Sequence, residues 1–217
     1  GVKRIEHLEN DASKVVYENK WKEEIVEADV VLMAVGRTAR TEIVEDNTIG
    51  ITYGKRGIEV DENMQTSVPH IYAIGDVNGL CQLAHAATFQ GRRALNHILG
   101  RKDNIRFDLI PSAVFTSPQL ASVGLREEDV TEHKPLVYKS FYRANGRALS
   151  MDADEGFLKI VCNEEGRVLG VHIMGEQASE LIHEATVLMN LGGTISQLGD
   201  IIHAHPTLSE IYRAAVS

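Results

Sequence analysis

The sequence lacks the features that define several large classes of protein. No apolar run approaches the about 20 residues that a membrane-spanning helix needs, and no secretory signal peptide leads the chain. Only two cysteines occur, Cys81 and Cys162, far apart and in apolar surroundings. They predict buried free thiols and a cytoplasmic location. Because the formal net charge is −9, we expect neither nucleic acid nor an anionic membrane as the main partner.

Two motifs of dinucleotide and redox enzymes are also missing. No G-x-G-x-x-G occurs, so the sequence contains no phosphate-binding start of a βαβ unit. No closely spaced pair of cysteines is present that would form a redox-active disulfide. The chain begins with Gly rather than Met. We therefore expect a fragment of a longer protein, which would supply only one wall of any dinucleotide site.

The first half of the chain shows strand patterns followed by one helix. Apolar alternation over residues 2–28 predicts a small antiparallel meander that leads into a buried strand at residues 30–35. A second short buried strand is predicted at residues 71–74, after a loop-rich stretch. A helix is predicted from about Leu83 onward. Its apolar positions are Leu83, Ala87, Ala94 and Ile98.

From Ile110 the pattern changes to several strands and then helices. The segments "GFLKIVCN" and "RVLGVHIMG" flank the turn "EEGR" and predict a hairpin. An amphipathic helix ending at Gly192 and Gly193 and two shorter helices follow. We place a boundary near residue 105. The predicted fold class is α+β, with a C-terminal antiparallel sheet and helices plus an incomplete α/β nucleotide-binding portion.

Both predicted buried strands of the first half end in glycine. Ligands of open α/β sheets bind beyond the carboxyl ends of the strands, where Gly36 and Gly75 would allow close approach to the backbone. Asp76 could accept hydrogen bonds from a ribose or polyol, and the following helix would direct N–H groups at a phosphate or an electron-rich ring. The alternative is that Gly-Asp forms an ordinary turn and that Asp76 caps a helix.

The segment "HAHPTLSE" also has two interpretations. Thr207 and Glu210 have the spacing of a capping box, with Thr207 at the N-cap and Glu210 three residues into the helix. In the functional interpretation, the chain folds back so that Glu210 binds one ring nitrogen of His205. The other nitrogen is then left to take a proton.

His203 suggests a third possibility, a metal site with His183 and Glu184. We do not favour it, because no cysteine or further carboxylate is spaced to complete a ligand set. His203 is instead expected to pack behind His205.

Taken in order, these motifs resemble a known family. The segments "VVLMAVGRTART", "IYAIGD", "QLAHAATFQG", "IPSAVFTSPQLASVGL", "FYRANGRAL" and "HAHPTLSE" cover nearly the whole chain. They are similar to the C-terminal half of the FAD-dependent pyridine nucleotide–disulfide oxidoreductases. Within that family, "ANGRAL" and "HPTLSE" resemble the dihydrolipoamide dehydrogenases more than the glutathione reductases.

The resemblance implies an architecture of three segments. Residues 1–40 would be the end of an NAD-binding domain, and residues 41–107 the C-terminal segment of an FAD-binding domain. Residues 108–217 would be an interface domain that forms a two-fold homodimer. The cofactors implied for the full-length parent are FAD and NAD, which this chain alone is not expected to retain.

The resemblance also assigns roles to single residues. Gly36 would lie near NAD, and Asp76 would bind the ribityl chain of FAD. The segment at the flavin ring would consist of Gln82, Leu83, Ala84 and His85. His205 would be the catalytic acid/base, Glu210 its carboxylate partner, and the bond before Pro206 would be cis. No metal is expected.

The implied activity is oxidation of dihydrolipoamide through a disulfide and FAD, with hydride transfer to NAD+. His205 would act across the dimer on a lipoyl-bearing protein or a small dithiol. Two alternatives stay open. The chain alone would be a dimerisation module without activity, or the parent would be a related flavin disulfide reductase with a different substrate.

Overall fold

A computed structural model describes residues 1–42 and 48–216. It has two compact units, Gly1–Thr38 and the chain from Ala39 onward. The first unit is an antiparallel sheet of three strands in the order β1-β2-β3. These strands are β1 (Val2–His7), β2 (Ser13–Asn19) and β3 (Lys22–Ala28). The predicted meander is therefore confirmed.

The buried strand predicted at residues 30–35 is wrong. This segment has no regular secondary structure, and its side chains Val30, Leu32, Met33 and Val35 are between 73% and 87% exposed. A strand that is apolar on both faces forms in a sheet that has neighbours and is covered on both sides. No strand within residues 1–42 and 48–216 pairs with it.

The strand predicted at residues 71–74 is reduced to a single bridge between Gln65 and Tyr72. The helix predicted next is confirmed as α1 (Ala84–Ile98). Its buried face differs from the prediction, because Ile98 is 60% exposed. The buried positions are Ala86, Gln90 and Ala94, which are spaced by four residues, and the amide of Gln90 contacts the preceding turn at Gly75.

The C-terminal part confirms the α+β class. Five antiparallel strands form a sheet in the order β4-β5-β8-β7-β6. The strands are β4 (Ser112–Val114), β5 (Gln119–Gly124), β6 (Leu136–Phe141), β7 (Phe157–Cys162) and β8 (Val168–Gly175). The helices are α2 (Gly146–Ser150), α3 (Ala178–Asn190), α4 (Ile195–Gly199) and α5 (Glu210–Val216). The predicted hairpin is β7–β8.

The main hydrophobic core lies between this sheet and its helices. Helix α3 packs against β5 and β8, whereas α5 packs against β6 and β7. Two fully buried tyrosines donate hydrogen bonds from their hydroxyls to backbone carbonyls. Tyr142 donates to the carbonyl of Glu176 at 2.9 Å, and Tyr212 donates to the carbonyl of Leu181 at 2.7 Å. Burial raises the pKa of both hydroxyls, which therefore stay protonated.

Both cysteines are free, as predicted. Cys162 lies in the core, where burial raises the pKa of its thiol to about 11. Cys81 is only partly buried, so the prediction of burial is wrong for this residue, which lies in the irregular stretch before α1. Across the part of the chain that the structure describes, no helix is long and apolar enough to span a membrane.

Candidate active site

The segment between α4 and α5 carries two histidines on an irregular loop. The bond between His205 and Pro206 is cis, as the resemblance predicted. After the proline the backbone turns, and the hydroxyl of Thr207 donates to the carbonyl of Ala204 at 2.7 Å. Helix α5 then begins at Glu210. This path brings the start of α5 back toward the imidazole of His205.

The carboxylate of Glu210 contacts both His205 and the backbone. Nδ1 of His205 lies 3.1 Å from Oε1 and 3.2 Å from Oε2. The backbone N–H of Thr207 donates to Oε2 at 2.9 Å. Only half of the predicted capping box is therefore present, because the Thr207 hydroxyl turns to Ala204 instead of the helix. One carboxylate caps the turn and also binds the histidine.

The surroundings keep Glu210 ionised. The N–H of Thr207, followed by the ring of His205, lowers the pKa of this carboxyl. An ionised carboxylate only accepts hydrogen bonds, so Nδ1 of His205 carries the proton that it shares. The His205 side chain is 77% exposed, and its Nε2 makes no hydrogen bond to any residue that the structure describes. The arrangement gives a histidine whose Nε2 is available to take a proton.

Asn145 connects the two motifs that carried the resemblance to dihydrolipoamide dehydrogenases. This buried side chain donates from Nδ2 to the carbonyls of Thr207 at 3.1 Å and Leu208 at 3.4 Å. Its Oδ1 accepts from the N–H groups of Arg147 and Ala148 at 3.0 Å, which caps α2. No role for Asn145 was predicted from the sequence, although an asparagine before a short helix signals a cap.

His203 contacts a carboxylate on α3. Its Nε2 lies 2.7 Å from Oε1 of Glu184 on α3, and its side chain is only 5% exposed. His183 is exposed on the same helix. Among residues 1–42 and 48–216, no group of three or more His, Cys, Asp or Glu side chains is arranged to bind a metal ion.

The turn at Gly75 and Asp76 is supported by buried amides. Gly75 is buried with a φ of 73°, a left-handed conformation that suits glycine, and Asp76 is exposed at the start of a short 3₁₀ helix, Gly75–Asn78. Oε1 of Gln90 accepts from the N–H of Gly75 at 2.7 Å and from Nδ2 of Asn78 at 3.0 Å. Neither Asn78 nor Gln90 was predicted from the sequence to support this turn, although an amide on the buried face of α1 signals a buried hydrogen-bond network.

The segment predicted to lie at a flavin ring surrounds the start of α1. Gln82 and Leu83 precede the helix, whereas Ala84 and His85 lie in its first turn. No side chain caps this helix start. His85 donates from Nε2 to the carbonyl of Pro111 at 2.8 Å, and its ring lines a cavity of about 940 Å³ between α1, residues 103–115 and α3.

These residues fit one side of a flavin site. The exposed carboxylate of Asp76 suits polyol hydroxyls, and the uncapped N–H groups of α1 suit an electron-rich ring edge. Gly36 belongs to the first unit, in an irregular segment, with a φ of 89°. An added Cβ at Gly36 would meet no atom within 4 Å.

Comparison with known proteins gives a consistent result. Residues 110–216 match the dimerisation domain of the pyridine nucleotide-disulphide oxidoreductases, and residues 1–91 match the pyridine nucleotide-disulphide oxidoreductase model. Dihydrolipoyl dehydrogenase from Bacillus subtilis is 40% identical over 205 residues, which are 93% of this chain and 44% of that protein.

Two solved structures are similar to the whole chain. LpdA from Mycobacterium tuberculosis superposes with a TM-score of 0.88 at 29% identity, covering 99% of this chain and 47% of its own. The HOCl-induced flavoprotein disulfide reductase RclA from Escherichia coli superposes with a TM-score of 0.86 at 28% identity. The match covers 100% of this chain and 50% of the RclA chain. The chain thus spans less than half the length of the Bacillus relative. Together, the two domain matches show that this chain belongs to the pyridine nucleotide-disulphide oxidoreductase family.

Proposed function

We propose that this chain is the C-terminal part of an FAD-dependent dihydrolipoamide dehydrogenase and that His205 is its acid/base. The observation that carries the proposal is the contact of 3.1 Å between Nδ1 of His205 and Glu210, combined with the exposure of the ring. The name of the Bacillus relative supports the substrate class. We propose residues 1–40, 41–107 and 108–217 as the NAD, FAD and interface segments; residues 43–47 of the second lie outside the described part.

In this mechanism His205 removes a proton from a substrate thiol. Its Nε2 takes the proton, and Glu210 stabilises the resulting imidazolium through Nδ1. The thiolate then attacks one sulfur of a disulfide on the remainder of the parent protein, and the other sulfur leaves as a thiolate. The second thiol of the substrate displaces the protein sulfur from this mixed disulfide, which releases the oxidised substrate and leaves the protein's cysteine pair as a dithiol. FAD, when bound, would accept the two electrons of the dithiol and pass them to NAD+ as a hydride.

Residues of this chain would contribute to both cofactor sites. We propose that Asp76 accepts hydrogen bonds from the polyol chain of FAD and that Gly36 lies near NAD. The segment at the start of α1 would face the flavin ring; it consists of Gln82, Leu83, Ala84 and His85. The buried Gln90 supports this assignment, because it fixes the turn that presents Asp76.

We further propose that the chain forms a homodimer in which His205 serves the partner subunit's disulfide. The match of residues 110–216 to a dimerisation domain supports this arrangement. The exposed ring of His205 also supports it, because a base must reach a thiol from outside its own domain. The substrate would be a lipoyl-bearing protein or a small dithiol.

Two observations favour alternatives. The main core is built from residues between Leu109 and Val216, which suits a dimerisation module without activity of its own. The similarity to the disulfide reductase RclA suits a flavin enzyme with a different substrate.

The test is the rate of NAD+ reduction by dihydrolipoamide in the full-length, flavin-loaded protein. His205→Gln should lower this rate by about 10² to 10⁴, the usual contribution of a general acid/base. His133→Gln is the matched control, because His133 is exposed and distant in sequence. An unchanged rate in His205→Gln would refute the proposed role of His205. Reduction of other disulfides without any oxidation of dihydrolipoamide would favour a related flavin disulfide reductase with a different substrate.

A further inference from the structure

His203 has one hydrogen bond in the part of the chain that the structure describes. Its Nε2 lies 2.7 Å from Oε1 of Glu184, and the carboxylate can only accept, so Nε2 carries the proton. Its Nδ1 is buried without a partner among the described residues. The ring is therefore fixed through Glu184 alone, and losing that carboxylate would leave both ring nitrogens unpaired in a buried place.

Glu184 is a rigid point of attachment. It lies within α3, between the buried Ile182 and Ala185, which pack into the core under the sheet. The segment of residues 201–206 has no helix or strand of its own, and Ile202 is 97% exposed. The segment's one backbone–backbone hydrogen bond among the described residues joins the N–H of Ile201 to the carbonyl of Leu198 at 3.3 Å, so side-chain contacts such as that of His203 hold the rest of the segment.

We propose that Glu184 and His203 form a positioning pair that holds the backbone so that Nδ1 of His205 faces Glu210. Only Ala204 separates the two histidines, so a shift of His203 is transmitted to His205 through two peptide units. The pair touches no reacting atom. Its catalytic consequence rests on the proposed function, whereas its effect on the ring of His205 can be observed in this chain without turnover.

The experiment records long-range ¹H–¹⁵N spectra of the chain with labelled histidine, at a pH of about 8 where imidazole is neutral. The sequence has nine histidines, which single His→Gln variants assign. In the unsubstituted chain, His205 should carry its proton on Nδ1, because this nitrogen binds Glu210. Glu184→Ala should abolish that state and leave a ring with its proton mainly on Nε2.

Matched variants separate positioning from general stability. Glu184→Gln keeps an acceptor oxygen for His203 and should retain the Nδ1–H form of His205. Glu180→Ala removes an exposed carboxylate one turn earlier on α3 and should also retain it. His203→Phe keeps a buried ring but cannot form the hydrogen bond to Glu184, so His205 should lose its Nδ1–H form. This variant preserves the test if Glu184→Ala does not fold.

The outcomes distinguish this inference from the proposed function. If Glu184→Ala or His203→Phe has native circular dichroism and keeps the Nδ1–H form of His205, the positioning role is overturned. If the unsubstituted chain itself carries the proton on Nε2, the contact between His205 and Glu210 fails, and the proposed function loses its main support as well.

Discussion

The Glu210 carboxylate lies 3.1 Å from Nδ1 of His205 and 2.9 Å from the backbone nitrogen of Thr207. From the sequence, the helix cap and the acid/base partner are two roles that compete for the Glu210 carboxylate, although its two oxygens could serve both. The structure combines them, since a carboxylate has two oxygens and several lone pairs. The cap also supplies the electrostatics, because the N–H of Thr207 lowers the pKa of the carboxyl that the histidine needs in its ionised form.

The lowered pKa of Glu210 predicts a pH-dependent contribution to folding. Its carboxyl is more acidic in the folded chain than the ordinary value of 4.5, so ionised Glu210 stabilises the fold at neutral pH. That contribution should be lost as the pH falls through the folded-state pKa. Glu210→Gln lacks it at every pH.

The measurement is the urea midpoint of the chain and of Glu210→Gln between pH 7 and pH 3. The unsubstituted chain should be more stable at pH 7, and the difference should disappear toward pH 3. Glu180→Gln should show no such trend. A difference between the chain and Glu210→Gln that stays constant with pH would contradict the assignment.

Asn145 should stabilise both α2 and the loop of His205. Asn145→Ala removes the cap of α2 and leaves the Thr207 carbonyl unpaired, which should lower the free energy of unfolding by about 2 kcal/mol. Asn145→Ser keeps an oxygen that can cap α2, but its side chain is too short to reach the carbonyl of Thr207, so only the loop contact is lost. Urea denaturation measures both effects.

The same asparagine variants separate the cap from the loop. Asn145→Ser should be less destabilising than Asn145→Ala and should still lower the rate of the full-length protein. Asn190→Ala is the control, an exposed amide at the end of α3 whose loss should cost within about 0.5 kcal/mol. Full activity in Asn145→Ser would show that the loop does not need this contact.

Gln90 should stabilise the turn that presents Asp76. Gln90→Met has a similar volume but leaves the N–H of Gly75 without its acceptor and the amide of Asn78 with only the carbonyl of Ala73 as an oxygen acceptor, so the free energy of unfolding should fall by about 1–3 kcal/mol. Thermal unfolding monitored by circular dichroism measures it. Thr88→Ala on the exposed face of α1 should have a much smaller effect, and equal effects of the two substitutions would argue against the network.

The elements that could be predicted from the sequence are those whose residue pattern lies within one segment. The meander, the β7–β8 hairpin and α3 follow from periodicity and turn residues within single segments. The strand predicted at residues 30–35 failed because an apolar run becomes a strand only when other strands pair with it, and a periodicity argument contains no information about partners.

The contacts of the candidate site were likewise predictable only where they are local in the sequence. The contact between His205 and Glu210 spans five residues and could be anticipated from a turn followed by a helix. The contact between His203 and Glu184 spans 19 residues and joins a loop to a helix packed on the sheet. Its geometry depends on tertiary packing, so the sequence led to the expectation that His203 packs behind His205 but did not identify Glu184 as its hydrogen-bond partner.

The most direct test of the central claim is the pH dependence of kcat/KM for dihydrolipoamide oxidation in the full-length protein. If His205 is the base, kcat/KM should fall on the acid side of the profile, and His205→Gln should be slower and lack that fall, because the group that accepts the thiol proton is then missing. If His205→Gln keeps both the rate and the acid-side fall, another group removes the thiol proton, and the role proposed for His205 and Glu210 is wrong.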